Sequence, residues 1–123
     1  MYLTHISFTM PKGGERLARE FYCGVLGLPE LTSLARARVR DGVWFDVGGL
    51  ELHLSVVDRC AGPDAVRYFG LGCGDLEGLK AKVQAAGVRI EDEAQAPRKR
   101  FFVRDPFGNR IEIHAPRGLL ERG

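Results

Sequence analysis

Cysteine is scarce in this chain: Cys23, Cys60 and Cys73 are its three among 123 residues. An odd count without metal-ligand spacing excludes a disulfide framework and a thiolate zinc site. The three are therefore read as reduced thiols of a cytosolic protein. Charge of one sign is also scarce. A formal net charge of +2, without a basic stripe interleaved with aromatics, excludes the usual nucleic-acid surface. Long hydrophobic runs are absent as well, and none approaches the ~18 apolar residues that span a bilayer. The opening MYLTHISFTMPKGG places His5 and Pro11 where a signal peptide needs an unbroken apolar stretch. What remains is an ordinary globular composition, 45% hydrophobic and 28% charged, long enough for one domain with one core.

The sequence reads as one unit repeated. Residues 3–10 alternate as a half-buried strand, with His5 and Ser7 on one face and Ile6 and Phe8 on the other. A helix is predicted from Glu15 to Leu26. Its stripe is Leu17, Phe21 and Val25, widened by Ala18, Tyr22 and Leu26, and Gly27 suits its C-terminal cap. Strands are predicted at Ala35–Arg40, Val43–Val47 and Leu50–Val56, joined through Asp41-Gly42 and Gly48-Gly49. The second half repeats the order. A strand over Val66–Cys73 precedes a helix capped by Asp75, with Leu76, Leu79, Val83 and Ala86 on one stripe and Gly87 closing it. Strands follow at Val88–Asp92, Phe101–Val103 and Arg110–His114, the last two joined by a turn over Asp105–Asn109. The expectation is a single α+β domain over 1–123, made of two tandem βαβββ modules whose curved mixed sheets enclose a shared pocket. Module one runs to about residue 57, a linker covers 58–64, module two covers about 65–116, and 117–123 form a tail.

Overlaying the halves sets His5-Ile6-Ser7-Phe8 on Tyr68-Phe69-Gly70-Leu71, and Leu50-Glu51-Leu52-His53 on Ile111-Glu112-Ile113-His114. The offsets are 63 and 61 residues. Side chains two apart on a strand share a face. Leu50, Leu52 and Leu54 then take the helix side, leaving Glu51, His53 and Ser55 opposite. Ile111 and Ile113 likewise leave Arg110, Glu112 and His114 opposite. His5, Glu51, Tyr68 and Glu112 become repeat-related positions on polar faces. Imidazole nitrogen and carboxylate oxygen are natural ligands of a divalent metal. Each such residue taken singly is as easily explained by a solvated sheet face.

At these residues the chain resembles the glyoxalase/bleomycin-resistance/dioxygenase group, the vicinal-oxygen-chelate superfamily. The matching pieces are His5, Phe21-Tyr22, Leu26-Gly27-Leu28 and Leu52-His53-Leu54, then Gly74-Asp75-Leu76, Phe102-Val103, Asp105-Pro106 and Gly108-Asn109 leading into Ile111-Glu112. The resemblance implies His5, Glu51 and Glu112 as metal ligands, with nickel, zinc, manganese or iron as the ion. It also implies Glu51 and Glu112 as catalytic bases in a lactoylglutathione-lyase-like enzyme or a dioxygenase. The fourth position, usually His, is Tyr68, and a phenol with pKa near ~10 is a poor ligand. His53 or His114 must then substitute, or the protein is a metal-free binding module of the bleomycin-resistance type. Under either reading His53, Tyr68, Arg110 and His114 contact a small-molecule substrate. A homodimer is implied, and neither nucleic acid nor membrane is expected as a partner.

Further features receive plainer readings. Arg36, Arg38 and Arg40 guard a strand edge. Arg98-Lys99-Arg100 is a solvated loop. Arg110 is expected to pair with Glu112, Cys73 to pack on the helix side, and Cys60 to sit in the linker.

Overall fold

The computed structural model describes residues 1–32, 42–59 and 67–116. Strand β1 (His5–Pro11) leads into α1 (Glu15–Arg19), which continues as a π-helical segment, Glu20–Val25. Strands β2 (Val43–Val47) and β3 (Leu50–Val57) complete the first half. The second half runs β4 (Tyr68–Gly72), α2 (Leu76–Ala85), β5 (Glu91–Ala94), β6 (Arg100–Arg104) and β7 (Arg110–His114). The expected strand Ala35–Arg40, its three arginines and Cys60 lie outside the described residues.

Each sheet draws its strands from one half. The first has order β1-β3-β2 and the second β4-β7-β6-β5. In both, the first strand runs parallel to the last while the hairpin is antiparallel, so both sheets are mixed. The repeat predicted from the sequence is thus present as two sheets with the same strand logic.

The first helix departs from its prediction. The peptide N–H of Leu26 donates to the carbonyl of Phe21 (2.9 Å), a five-residue step in place of four. Its buried stripe centres on Ala18, Phe21 and Tyr22, whereas Leu17 is exposed. Residue spacing shows where a stripe is, but neighbouring elements decide which edge of it turns to solvent. Strand β5 begins three residues later than expected. Asp92 in it adopts a positive φ of 48° and the pairing with β6 is irregular there. For α2 the expected cap is present: the Asp75 carboxylate accepts from the peptide N–H of Gly78 at 2.9 Å. Asp75→Ala should cost about 1 kcal/mol, the usual value for losing such a cap, measured as a lowered urea midpoint with unchanged slope.

The core lies on the helix side of both sheets. Met10, Phe45, Leu52 and Leu54 of the first half join Val83, Phe101, Val103, Ile111 and Ile113 of the second. The halves are also keyed by polar contacts. The Tyr22 hydroxyl donates to Asp105 (2.6 Å), and the Asn109 side-chain amide donates to the Thr9 carbonyl (2.8 Å). Phe8 packs on Phe69 with ring centroids 4.8 Å apart. Among the described residues no helix is long and apolar enough to cross a membrane.

Candidate functional site

Strand alternation puts the polar side chains where the pattern predicted. Leu52, Leu54, Ile111 and Ile113 are buried against the helices. The opposite faces therefore carry His5, Ser7, Glu51, His53 and Ser55 on the first sheet. On the second they carry Tyr68, Arg110, Glu112 and His114. Trp44 and Phe102 join these faces, because their neighbours Val43, Phe45, Phe101 and Val103 take the core side. Phe45 is fully buried core. Cys73 packs partly against the core, as predicted, and both Cys23 and Cys73 are free thiols.

The pairing register corrects the overlay of the two halves. On the first sheet Ser7 stands opposite His53, and His53 opposite Trp44. On the second Gly70 stands opposite Glu112, and Glu112 opposite Phe102. Since Ser7 overlays Gly70, the residue matching Glu112 is His53, and the residue matching Glu51 is Arg110. The similarity of Leu-Glu-Leu-His to Ile-Glu-Ile-His suggested the pairing two residues away. A shift of two leaves every side chain on its predicted face, so the faces survive the correction. Only the partners change.

The first polar face is a connected row. His53 is 1% exposed and lies flat on Trp44, with centroids 3.8 Å apart and planes inclined by 9°. Its Nδ1 is 3.0 Å from Ser55 Oγ, which is 2.8 Å from Ser7 Oγ. His5 is exposed, beside Glu51 in the β1–β3 register, and its Nδ1 is 2.9 Å from Thr4 Oγ1. That contact leaves Nε2 of His5 as the nitrogen directed to any ligand.

The second face is an aromatic and cationic platform around a buried carboxylate. Glu112 is 8% exposed, and its Oε2 is 3.4 Å from Arg100 Nη1. The expected partner, Arg110, instead pairs with Asp92. Arg110 also stacks its guanidinium 3.7 Å from the Phe102 ring centroid, an attraction between a cation and a π face. Tyr68, half exposed, meets the Phe102 edge at 4.9 Å. Gly70 lets the Glu112 and His114 side chains lie close over its backbone. A β-carbon there would stand 3.5 Å from both Glu112 Oε1 and His114 Nε2. His114 Nδ1 is 2.9 Å from the Ala115 carbonyl, which only a protonated Nδ1 can satisfy, so Nε2 is the lone-pair nitrogen of the neutral ring.

Imidazole and carboxylate donors fit a divalent ion chemically, but they are divided between two sheets. Among the described residues no three His, Cys, Asp or Glu side chains converge tightly enough to hold a metal. The expected trio His5, Glu51 and Glu112 is divided, with two members on one sheet and one on the other. Arg100, which reaches Glu112, is the neighbour that sequence reading missed. Strand alternation could have found it only after deciding which of Phe101 and Phe102 faces the core.

The model of the glyoxalase/bleomycin resistance protein/dioxygenase superfamily matches residues 15–113. The chain belongs to that superfamily. A glyoxalase family protein from Bacillus anthracis superposes with a TM-score of 0.82 at 29% identity, covering 95% of this chain and 96% of that one. The fosfomycin resistance protein FosX from Listeria monocytogenes gives 0.72 at 15% identity, covering 100% and 98%. Lactoylglutathione lyase from Agrobacterium tumefaciens gives 0.70 at 19% identity, covering 93% and 92%. The last two likenesses show the shared fold alone. No curated protein matches the chain.

Proposed function

We propose that this superfamily member is a divalent-metal-dependent enzyme acting on a small oxygenated substrate, with lactoylglutathione-lyase-like proton transfer as its chemistry. The observation that carries this reading is the nearly buried Glu112 carboxylate, which lies against the Gly70 backbone beside His114 and in a repeat-related position to His53. His5, Glu112 and either Glu51 or His53 would hold the ion. A bound divalent cation supplies Lewis-acid stabilisation to vicinal oxygens as negative charge develops on them.

The protein's own groups do the rest. A carboxylate, Glu51 or Glu112, takes a proton from one carbon and returns it to the next. Arg100 holds Glu112 in place. Trp44 presents flat apolar surface to the body of the substrate. Since one chain divides the donors, we place the working site between module one of one copy and module two of another, in a cytoplasmic homodimer.

Metal content of protein purified without chelator tests this reading. It predicts close to one equivalent of nickel, manganese, iron or zinc per chain, falling when Glu112 is changed. Less than about a tenth of an equivalent, with no gain on adding those ions, contradicts it.

Tyr68 favours a second reading, a metal-free protein that binds an apolar, partly charged ligand on the Tyr68–Phe102–Arg110 platform. Here ligand binding survives EDTA. The two readings also part at Tyr68→His. If the site holds metal with a weak fourth position, this change should raise nickel affinity about tenfold, read by competition with a chromogenic chelator. An unchanged affinity would remove position 68 from the metal's surroundings.

A further inference from the structure

A concavity lies at the open end of the β6–β7 hairpin, next to Arg100, which reaches Glu112. It has a volume of about 400 Å³ and is walled by Arg98, Lys99, Arg100 and His114 between Pro97 and Pro116. Three permanent cations and an imidazole line it, and no carboxylate does among the described residues. Arg98 and Lys99 form no ion pair with any described residue, in contrast to Arg100, which reaches Glu112. The backbone beneath is fixed. Arg100 pairs with His114 in the strand register, and the Ala115 peptide N–H donates to the Lys99 carbonyl at 3.1 Å. Like charges held together on a fixed frame repel one another unless an anion lies among them. Arg98 and Lys99 are exposed loop residues, as the sequence reading has them, and they also border this hollow.

We infer that this hollow is the subsite for a doubly charged phosphate-type group of the substrate, with Arg100 bridging it to the Glu112 face. The inference rests on the reading of that face as the substrate site, and it names the substrate class. Guanidinium and ammonium donors suit a tetrahedral oxyanion, because its several oxygens accept charge-assisted hydrogen bonds from different directions at once. A substrate held there by its phosphate presents its neighbouring carbons to Glu112.

Inorganic phosphate is the probe, titrated into the full chain at constant ionic strength and followed by backbone amide and imidazole chemical shifts. The expected result is saturable movement of Lys99, Ala115 and His114 resonances with millimolar affinity. Binding should weaken about tenfold or more in Arg98→Ala/Lys99→Ala, which removes two exposed charges and leaves the core untouched. Acetate under the same conditions should bind at least about tenfold more weakly. Shifts that stay linear to about 100 mM, or equal affinity in the double variant, overturn the subsite. Acetate binding as well as phosphate overturns the phosphate assignment. Because metal content is read separately, a chain that holds metal but not phosphate loses this inference alone. One that holds phosphate but no metal loses the enzyme reading alone.

Discussion

Asp105→Asn is expected to destabilise the fold by about 2–4 kcal/mol, since it leaves buried donors facing a donor. Asp105 is 5% exposed and accepts from four groups. Its Oδ1 takes the peptide N–H of Phe107 and of Asn109, each at 2.9 Å. Its Oδ2 takes the Tyr22 hydroxyl at 2.6 Å and the Asn109 amide at 2.7 Å. An asparagine can keep one pair of these bonds but turns an NH₂ toward the other. The damage reaches beyond one turn, because Tyr22 belongs to the first half and Asn109 in turn holds β1.

The pH dependence has a defined sign. Burial raises the Asp105 carboxyl above its ordinary value, although the four donors pull it back. Burial, and then the neighbouring carboxylate, pushes the Tyr22 phenol well above its own. A carboxyl whose native pKa exceeds its unfolded one binds the proton more tightly in the native state. Its contribution is fully present below the unfolded pKa and is lost as pH rises through the native pKa. Asp105→Asn should therefore flatten the stability profile in the acid range while lowering it at neutral pH. Urea unfolding at several pH values measures both. A variant within about 0.5 kcal/mol of wild type at neutral pH would show that the four bonds are dispensable.

Glu112→Gln is expected to lower metal affinity by at least about 100-fold, beyond the 10–100-fold typical of changing a group that only supports a ligand. The amide keeps the shape of the side chain and removes the charge, so its place opposite Phe102 in the sheet is retained and the melting temperature should move little. Arg100 would then lie beside a neutral group. Calorimetric titration with nickel or zinc separates the two effects. Unchanged affinity would mean that this carboxylate is structural, held for its contact with Arg100.

Much of this was legible in the residues, for a physical reason. Strand faces follow from a period of two, which is local, so Glu51, His53, Glu112 and His114 were assigned to polar faces without knowledge of any partner strand. The two mixed sheets followed from the repeated order of strand, helix and glycine turns. Register is not local. His53 matches Glu112 because β3 pairs with β1 and β7 with β4, and the two hairpins have turns of different length. Similar short motifs therefore overlaid two residues out of step. Arg110 was matched to Glu112 from spacing alone, whereas the twist of the sheet gave it Asp92 and left Arg100 to the carboxylate. The turn at Asp105 was recognised, but nothing in its sequence indicated that Tyr22, 83 positions earlier, would donate to it.

The division of donors between two sheets makes mixed oligomers the most direct measurement. His5→Ala and Glu112→Gln, each deficient in metal alone, are to be co-refolded in equal amounts and the bound metal counted. If each site takes one module from each of two copies, half of the dimers are mixed and each of these has one intact site, so about a quarter of the wild-type metal should return. A mixture that binds no more metal than its two components would contradict the shared site.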